Sequence, residues 1–336
     1  MSPLGERFVA ALAHRLPRLT APHTAALRLF NGYTEGFPRV AVDLYGTTLL
    51  LHDATSKTGD REAMLELIEL ARAKLPWVTT ALWKRRESAN QNERNGTMLL
   101  GDEAQLTRKV QEHGVWYVTR LTLNRDASLY LDTEPLREWA LKHLKGKRVL
   151  NAFAYTGSLG VAAQAAGAEA VIHTDLNNAF LTVAKDSYAV NGFKVEKKNF
   201  KAGDFFDLVG RLKREEELFD CVFVDPPFFS VTEKGRVDLV TDMERVLNKA
   251  RPLVAHGGWL VAINNGVFVS GAEFQKTLDA ICATGHLSLE TRIDVPKDFT
   301  GYDDTQKVAL DVSPAPFNHS TKIAILKVTR KDGKTR

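Results

Sequence analysis

The chain has 336 residues, 44% of them apolar and 26% charged, with 45 basic against 41 acidic side chains and two cysteines. That length exceeds a usual single core, so two globular units are expected, and the ordinary composition excludes a collagenous, coiled-coil or wholly disordered chain. Two cysteines cannot build a disulfide framework and starve a thiolate-rich zinc site, so no metal is expected and a reducing, cytoplasmic compartment is favoured. No targeting segment is read at the start, because the apolar run 8–13 is cut short by His14 and Arg15. No run reaches the roughly 18–20 apolar residues of a membrane helix, so no membrane partner is expected. A net charge of +4 permits a nucleic-acid partner without requiring one.

In chain order, residues 4–16 predict a short amphipathic helix and the stretch from Pro17 to Pro22 a breaker, so 1–23 reads as a helix and linker. From Leu27 to about Met98 the signals are mostly strand-like. Residues 39–45 alternate, Gly46 turns the chain, and 47–52 continue as a second strand. Residues 62–75 recover a helical period with Met64, Leu65, Ile68, Leu70 and Ala71 on one stripe. Trp77 to Trp83 predicts another strand, and the polar stretch from Lys84 to Gly96 a loop or long hairpin turn. Residues 24–122 therefore read as a small α+β domain. From Leu144 short apolar runs alternate with helical segments: strands at 148–153, 170–174, 219–224 and 258–263, helices at 158–166, up to 190, and at 238–250. Strands apolar on both faces and separated by helices predict a parallel sheet covered on both sides, hence a doubly wound α/β domain over 123–336. The tail 330–336 is expected to fray.

In such a sheet the ligand sits at the carboxyl ends of the strands. After the first strand stand Phe153, Ala154, Tyr155, Thr156 and Gly157; Gly157 permits close backbone approach, but the three-glycine dinucleotide fingerprint is missing, so a nucleoside is favoured over a dinucleotide. After the second, Asp175 and Leu176 supply a carboxylate that could accept from ribose hydroxyls. After the third, Gly203, Asp204 and Phe205 place a carboxylate for an adenine amino group, with an aromatic beside it. After the fourth, Asp225, Pro226, Pro227, Phe228 and Phe229 form a rigid corner whose carbonyls and side chain point into the cleft.

These four strand ends resemble those of the class I S-adenosylmethionine-dependent methyltransferases. More narrowly, the chain resembles the bacterial large-subunit (23S) ribosomal RNA methyltransferases that modify cytosine C5 or guanine N7. The narrower likeness rests on residues 27–32, 36–38 and 42–46, on 111–114, and on 131–137 before the first Rossmann-like strand. The resemblance implies that S-adenosylmethionine is the cofactor and RNA, ribosomal RNA in particular, the partner; monomer and homodimer both stay open. It implies that Asp132 and Arg137 lie in a segment closing over the cofactor, with Phe153, Tyr155, Thr156 and Gly157 in its first loop. Asp175 becomes the ribose acceptor and Asp204 the adenine contact. Asp225, Pro226, Pro227 and Phe228 become the candidate catalytic segment meeting the target base.

A sulfonium methyl is already activated, so catalysis reduces largely to positioning in a dry cleft. Cytosine C5 also needs a cysteine thiolate. In members that modify C5, the resemblance places this thiolate after the fifth strand; here that loop holds Asn264 and Asn265 and no cysteine. Cys221 and Cys282 read as core residues, so a guanine nitrogen is preferred, with Phe229, Asn264 and Asn265 beside the base. Arg85 and Arg86, flanked by Trp83 and asparagines, are candidate RNA contacts. His113 reads as structural. Many members carry an extra N-terminal RNA-binding β-barrel, which the first two dozen residues here cannot build. A non-catalytic RNA-binding factor and, more weakly, a nicotinamide oxidoreductase are the alternatives from other classes.

Overall fold

The computed structural model describes residues 1–56, 58–233 and 235–336. They divide into two compact units, Met1–Leu131 with Pro296–Leu310, and Asp132–Val295 with Asp311–Arg336. The division thus falls nine residues beyond the 122/123 boundary read from sequence (131 against 122), and residues 1–23 are part of the first unit rather than a separate linker.

In the first unit, α1 (Pro3–Arg15) leads to β1 (Ala26–Phe30), β2 (Val40–Tyr45), β3 (Thr48–Asp53), α2 (Arg61–Lys74), β4 (Thr80–Arg85), the short α3 (Gln91–Asn95) and β5 (Thr97–Leu100). The five strands form one sheet in the order β1-β2-β3-β4-β5, antiparallel except for the parallel β3–β4 pair that α2 connects. The apolar stripes of α1 and α2 (Phe8, Leu12, Met64, Leu67, Ile68) bury one face of this sheet against Leu29, Val42, Leu49, Leu51 and Ala81. The stretch read as a loop from Lys84 contains the end of β4 and all of α3, because Asn90 caps α3 by accepting from the amide of Asn92 at 2.9 Å. β6 (Lys109–Glu112) and β7 (Val115–Val118) make a separate hairpin, and His113 and Gly114 both take positive φ in its turn, a backbone role.

The later return of the chain to this unit has a physical cause. Arg15 is wholly buried and pairs with Glu35 at 3.2 Å, while donating to the carbonyls of Ala11, Arg28 and Asp298. Arg18 also pairs with Asp298, and Arg28 lies 4.4 Å from the Phe299 ring centre. The short α10 (Lys297–Thr300) is held by these cations, not by an apolar stripe of its own.

In the second unit come α4 (Glu134–His143), β8 (Arg148–Ala152), α5 (Ser158–Ala165), β9 (Ala170–Asp175), α6 (Asn178–Val190), β10 (Phe200–Ala202), α7 (Phe205–Arg214) and β11 (Phe219–Val224). A small β12 (Phe229–Thr232) and β13 (Gly235–Asp238) hairpin follows, then α8 (Met243–Ala250), β14 (Val254–Asn264), α9 (Gly271–Cys282), β15 (Leu287–Ile293) and β16 (Lys322–Val328). Seven strands form one sheet, β10-β9-β8-β11-β14-β16-β15. Its faces are both covered: Cys221 and Phe223 of β11 pack toward α4 and α5, Val222 and Val224 toward α7, α8 and α9. The all-parallel expectation needs correction at one strand. β16 runs antiparallel to β14 and β15, so its first residue, Lys322, pairs with the last residue of β14, Asn264. Among the described residues no helix is long and apolar enough to cross a membrane.

Candidate active site

The chain winds outward from β8 to β9 to β10 and then crosses to β11 on the other side of β8, which makes the carboxyl ends of β8 and β11 the switch point where such sheets open a crevice. The loop after β8 is strained and tightly held. Phe153 and Tyr155 have φ of 55° and 50°, a conformation costly for side chains other than glycine. Three contacts over-determine it. The Ala154 amide donates to Thr174 O at 2.9 Å, the Tyr155 amide donates to Asp175 Oδ2 at 2.8 Å, and the Phe153 ring stacks on Phe205 at 4.5 Å. Gly157, with φ 81°, opens α5, and a Cβ there would come within 2.5 Å of the Ala184 methyl. Thr156 is buried beside it.

Asp175 ends β9 with its second oxygen accepting from the Asn177 amide at 2.8 Å, and its pKa is raised by burial, against the lowering effect of the two amides. Leu176 next to it is exposed. The Gly203 amide donates to Asp175 O at 2.9 Å, which binds the third loop to the second. Asp204 is the N-cap of α7: Oδ1 accepts from the Phe206 and Asp207 amides, and Oδ2 from the Thr232 hydroxyl at 2.6 Å. Phe205 is buried under Phe153.

The Asp225 corner is the most unusual part electrostatically. Asp225 Oδ1 is buried without a hydrogen-bond partner among the described residues, and the pKa of the carboxyl is pushed up to about 7, by burial first and then by the charge of Asp132, with Asn265 opposing. Asp132 Oδ1 is likewise buried and unpartnered, while its Oδ2 accepts from the Thr321 hydroxyl at 2.6 Å. Asn265 Nδ2 donates to Pro226 O at 3.4 Å; Asn264 is buried and receives the Gly266 amide at 3.0 Å. Pro226 is buried, Pro227 exposed, and Phe228 and Phe229 present rings to solvent, with Phe268 set edge-on to Phe228 at 6.3 Å. Arg137 is wholly buried on α4 and donates to Thr133 Oγ at 2.8 Å. Two residues absent from the sequence-based set belong here, Thr321 and Lys322. The buried Lys322 Nζ donates to the carbonyls of Gly266 at 3.0 Å and Ser320 at 2.5 Å. Only the antiparallel course of β16 brings them to this end, and no local motif marks them.

Sequence-predicted residues outside this cluster lie elsewhere. Arg85 pairs with Glu93, donates to Thr58 O at 2.6 Å and sits 5.4 Å from the Trp83 ring. Arg86 bonds to Arg125 O and pairs with Asp126 at 3.4 Å. Both belong to the first unit. Cys221 is wholly buried, with burial raising its thiol well above the usual range; Cys282 is also shifted upward by burial. Among the described residues no group of three or more His, Cys, Asp or Glu is placed to hold a metal ion.

The arrangement fits a nucleoside ligand carrying positive charge. Carboxylates stand at the ends of three strands (Asp175, Asp204 and Asp225), Asp132 adds a fourth, and Asp132 and Asp225 each have an oxygen with no partner among the described residues. Residues 82–311 match the family described as S-adenosylmethionine-dependent methyltransferase. "Putative ribosomal RNA large subunit methyltransferase YwbD" of Bacillus subtilis (strain 168) is 26% identical over 321 residues, covering 95% of this chain and 79% of that protein. "Ribosomal RNA large subunit methyltransferase K/L" of Colwellia psychrerythraea is 29% identical over 315 residues; the alignment takes in 86% of this chain but only 41% of that protein. A solved structure described as SMU.776, "a putative methyltransferase complexed with SAH", shares the fold with a TM-score of 0.81 at 22% identity, over 98% of this chain and 83% of that one. The family match spans more than half of the sequence and contains the first loop, Asp175, Asp204 and the Asp225 corner, so the chain belongs to the S-adenosylmethionine-dependent methyltransferase family, enzymes whose methyl donor is S-adenosylmethionine.

Proposed function

We propose that this enzyme methylates RNA of the large ribosomal subunit, at a guanine nitrogen. The ribosomal part is supported by the names of the relatives above. The observation that carries the choice of atom is the Asp225 corner: a carboxyl whose buried Oδ1 has no partner among the described residues and can receive an amino or imino N–H, in a chain whose two thiols, Cys221 buried and Cys282 half-buried, are both displaced toward the neutral form. Carbon methylation at C5 would need a thiolate at the base, and neither Cys221 nor Cys282 meets that need.

In this reading, S-adenosylmethionine supplies an electrophilic methyl group. Asp175 accepts from its ribose hydroxyls, Asp204 and Phe205 border its adenine, Gly157 and the strained Phe153–Tyr155 turn bring backbone close to it, and Asp132 and Arg137 close the segment before β8. The protein's chemical task is then alignment in a water-poor cleft. Asp225 and the Pro226 carbonyl, steadied by Asn265, hold the target nitrogen. Phe228 and Phe229 stack on a base that has left its own stack. Arg85 and Arg86 would meet phosphates by exchanging Glu93 and Asp126, so their contribution is small. Nucleoside mass spectrometry of ribosomal RNA from cells with and without the gene tests this: loss of a methylguanosine is expected, and loss of 5-methylcytidine, or no change, refutes it.

A further inference from the structure

We propose that Asp225, with the Asp132 carboxylate beside it, holds a proton in the ligand-free protein and releases it to solvent when the cationic S-adenosylmethionine enters, with Thr321 as the residue that positions Asp132. The proposal rests on the methyltransferase reading of this site. Its geometric basis is that two carboxyl groups from distant parts of the sequence, one on the turn Leu131–Thr133 and one just after β11, each present a buried oxygen with no partner among the described residues. The strand pairing brings them to one end: Thr321 bonds to Asp132, its neighbour Lys322 pairs with Asn264, and Asn265 reaches the Pro226 carbonyl next to Asp225, so the charge of Asp132 opposes ionisation of Asp225 out of water. The charge of Asp132 reaching Asp225, and the displacement of Asp225 to about 7, agree with that geometry.

Among the described neighbours, Asn265 opposes the upward displacement of Asp225, and the charged groups have other partners. Asn264 at the end of β14 and Asn265 just after it are neutral. From β16, Lys322 directs its ammonium at the Gly266 and Ser320 carbonyls, and the charge that acts on it is that of Glu273. On α4, Arg137 donates to Thr133. Asp175 is held by the Tyr155 and Asn177 amides. The Thr321 hydroxyl donates to Asp132 Oδ2, which leaves Oδ1 as the open acceptor. Thr321 also lies beyond residues 82–311, outside the family match. The balance is simple: one O–H bond of the carboxylic acid breaks, the proton goes to buffer, and the carboxylate left behind faces the cation.

Calorimetry of S-adenosylmethionine binding to the full chain, in buffers of different ionisation enthalpy from pH 5.5 to 8.5, reads the protons exchanged. Release of about half a proton is expected at pH 7, because a group titrating near that pH is half protonated there. Asp225→Asn should abolish the release. Asp132→Asn should move its midpoint to lower pH by removing the opposing charge. Thr321→Val should shift the midpoint, and Thr321→Ser should restore it, which a merely structural role would not do. Binding with heats independent of buffer, or release that persists unchanged in Asp225→Asn or Asp132→Asn, overturns the pair. An unmoved midpoint in Thr321→Val overturns the role of Thr321. Failure to bind S-adenosylmethionine at all would instead overturn the site reading on which the pair rests.

Discussion

Gly157→Ala perturbs the turn that starts α5 in two separable ways. At φ 81° a side chain brings the left-handed penalty, about 1–2 kcal/mol. The added Cβ would also stand 2.5 Å from the Ala184 methyl and 3.2 Å from the His173 ring, and overpacking of a tight core costs about 1–3 kcal/mol. The sum is a loss of about 2–5 kcal/mol. Gly160→Ala is the matched control. Its Cβ would meet the same imidazole at 2.3 Å, but the residue lies inside α5 without a positive φ, so alanine regains about 1 kcal/mol of helix propensity. If the steric costs are similar, Gly157→Ala is the less stable of the two by about 2–3 kcal/mol. Urea denaturation followed by circular dichroism measures this, with hydrogen exchange of β8 and β9 amides as a local readout, because two units can unfold in separate transitions. Cofactor affinity should fall with Gly157→Ala, since the displaced turn carries the Tyr155 amide that holds Asp175. A Gly157→Ala protein as stable as the parent, or no less stable than Gly160→Ala, would refute the geometry of this turn.

Further expectations follow from neighbouring residues. Asp175→Ala should weaken S-adenosylhomocysteine binding by about 1–3 kcal/mol in calorimetry, the range for a lost buried polar partner; unaltered affinity would remove Asp175 from the site. Asp204→Ala should also destabilise the fold by about 0.5–2 kcal/mol, because it removes the α7 cap, and an unchanged denaturation midpoint would contradict that capping. His173 is buried between Tyr188 and Phe200, and burial depresses its pKa to about 3, so the folded state stays neutral where the unfolded chain protonates. Its stabilising contribution is therefore full above about pH 6.5 and is lost as pH falls toward 3, at up to about 1.4 kcal/mol per pH unit. His173→Gln should flatten that acid limb in denaturation series. Cys221→Ser and Cys282→Ser together should retain methylation of extracted ribosomal RNA; complete loss in a folded protein would revive the C5 reading.

Much of the second unit was legible because the relevant signals are local. The runs 148–153, 170–174 and 219–224 are apolar on both faces, and the observed β8, β9 and β11 match them within a residue. The cysteines could be placed in the core from their apolar neighbours alone, and the structure buries Cys221 completely. Less local features were out of reach. The polar stretch after Trp83 reads as a turn by composition, yet Arg85 and Arg86 are fixed by partners as distant as Asp126. Asp204 could be read equally as a cap or an adenine acceptor, and the structure shows it capping α7 through Oδ1, which accepts two amides, while Oδ2 accepts from the Thr232 hydroxyl.

What the sequence by itself determined is the alternation of short buried strands with helices and the residues that end those strands, because hydrophobic period and turn chemistry act over a few neighbours. Strand direction is not written in that period. An antiparallel strand has the same alternation as a parallel one, so the reversal of β16 belongs to tertiary packing between β14 and β15. That reversal delivers Thr321 to Asp132 and Lys322 to the Gly266 carbonyl. The return of residues 296–310 to the first unit is of the same kind, since the buried Arg15 and the exposed Arg18 both bond to a segment about 280 residues away. The tertiary structure alone decided that two aspartates from separate elements lie close enough for one charge to act on the other, because their interaction depends on distance and burial, and neither has a signature in the order of residues.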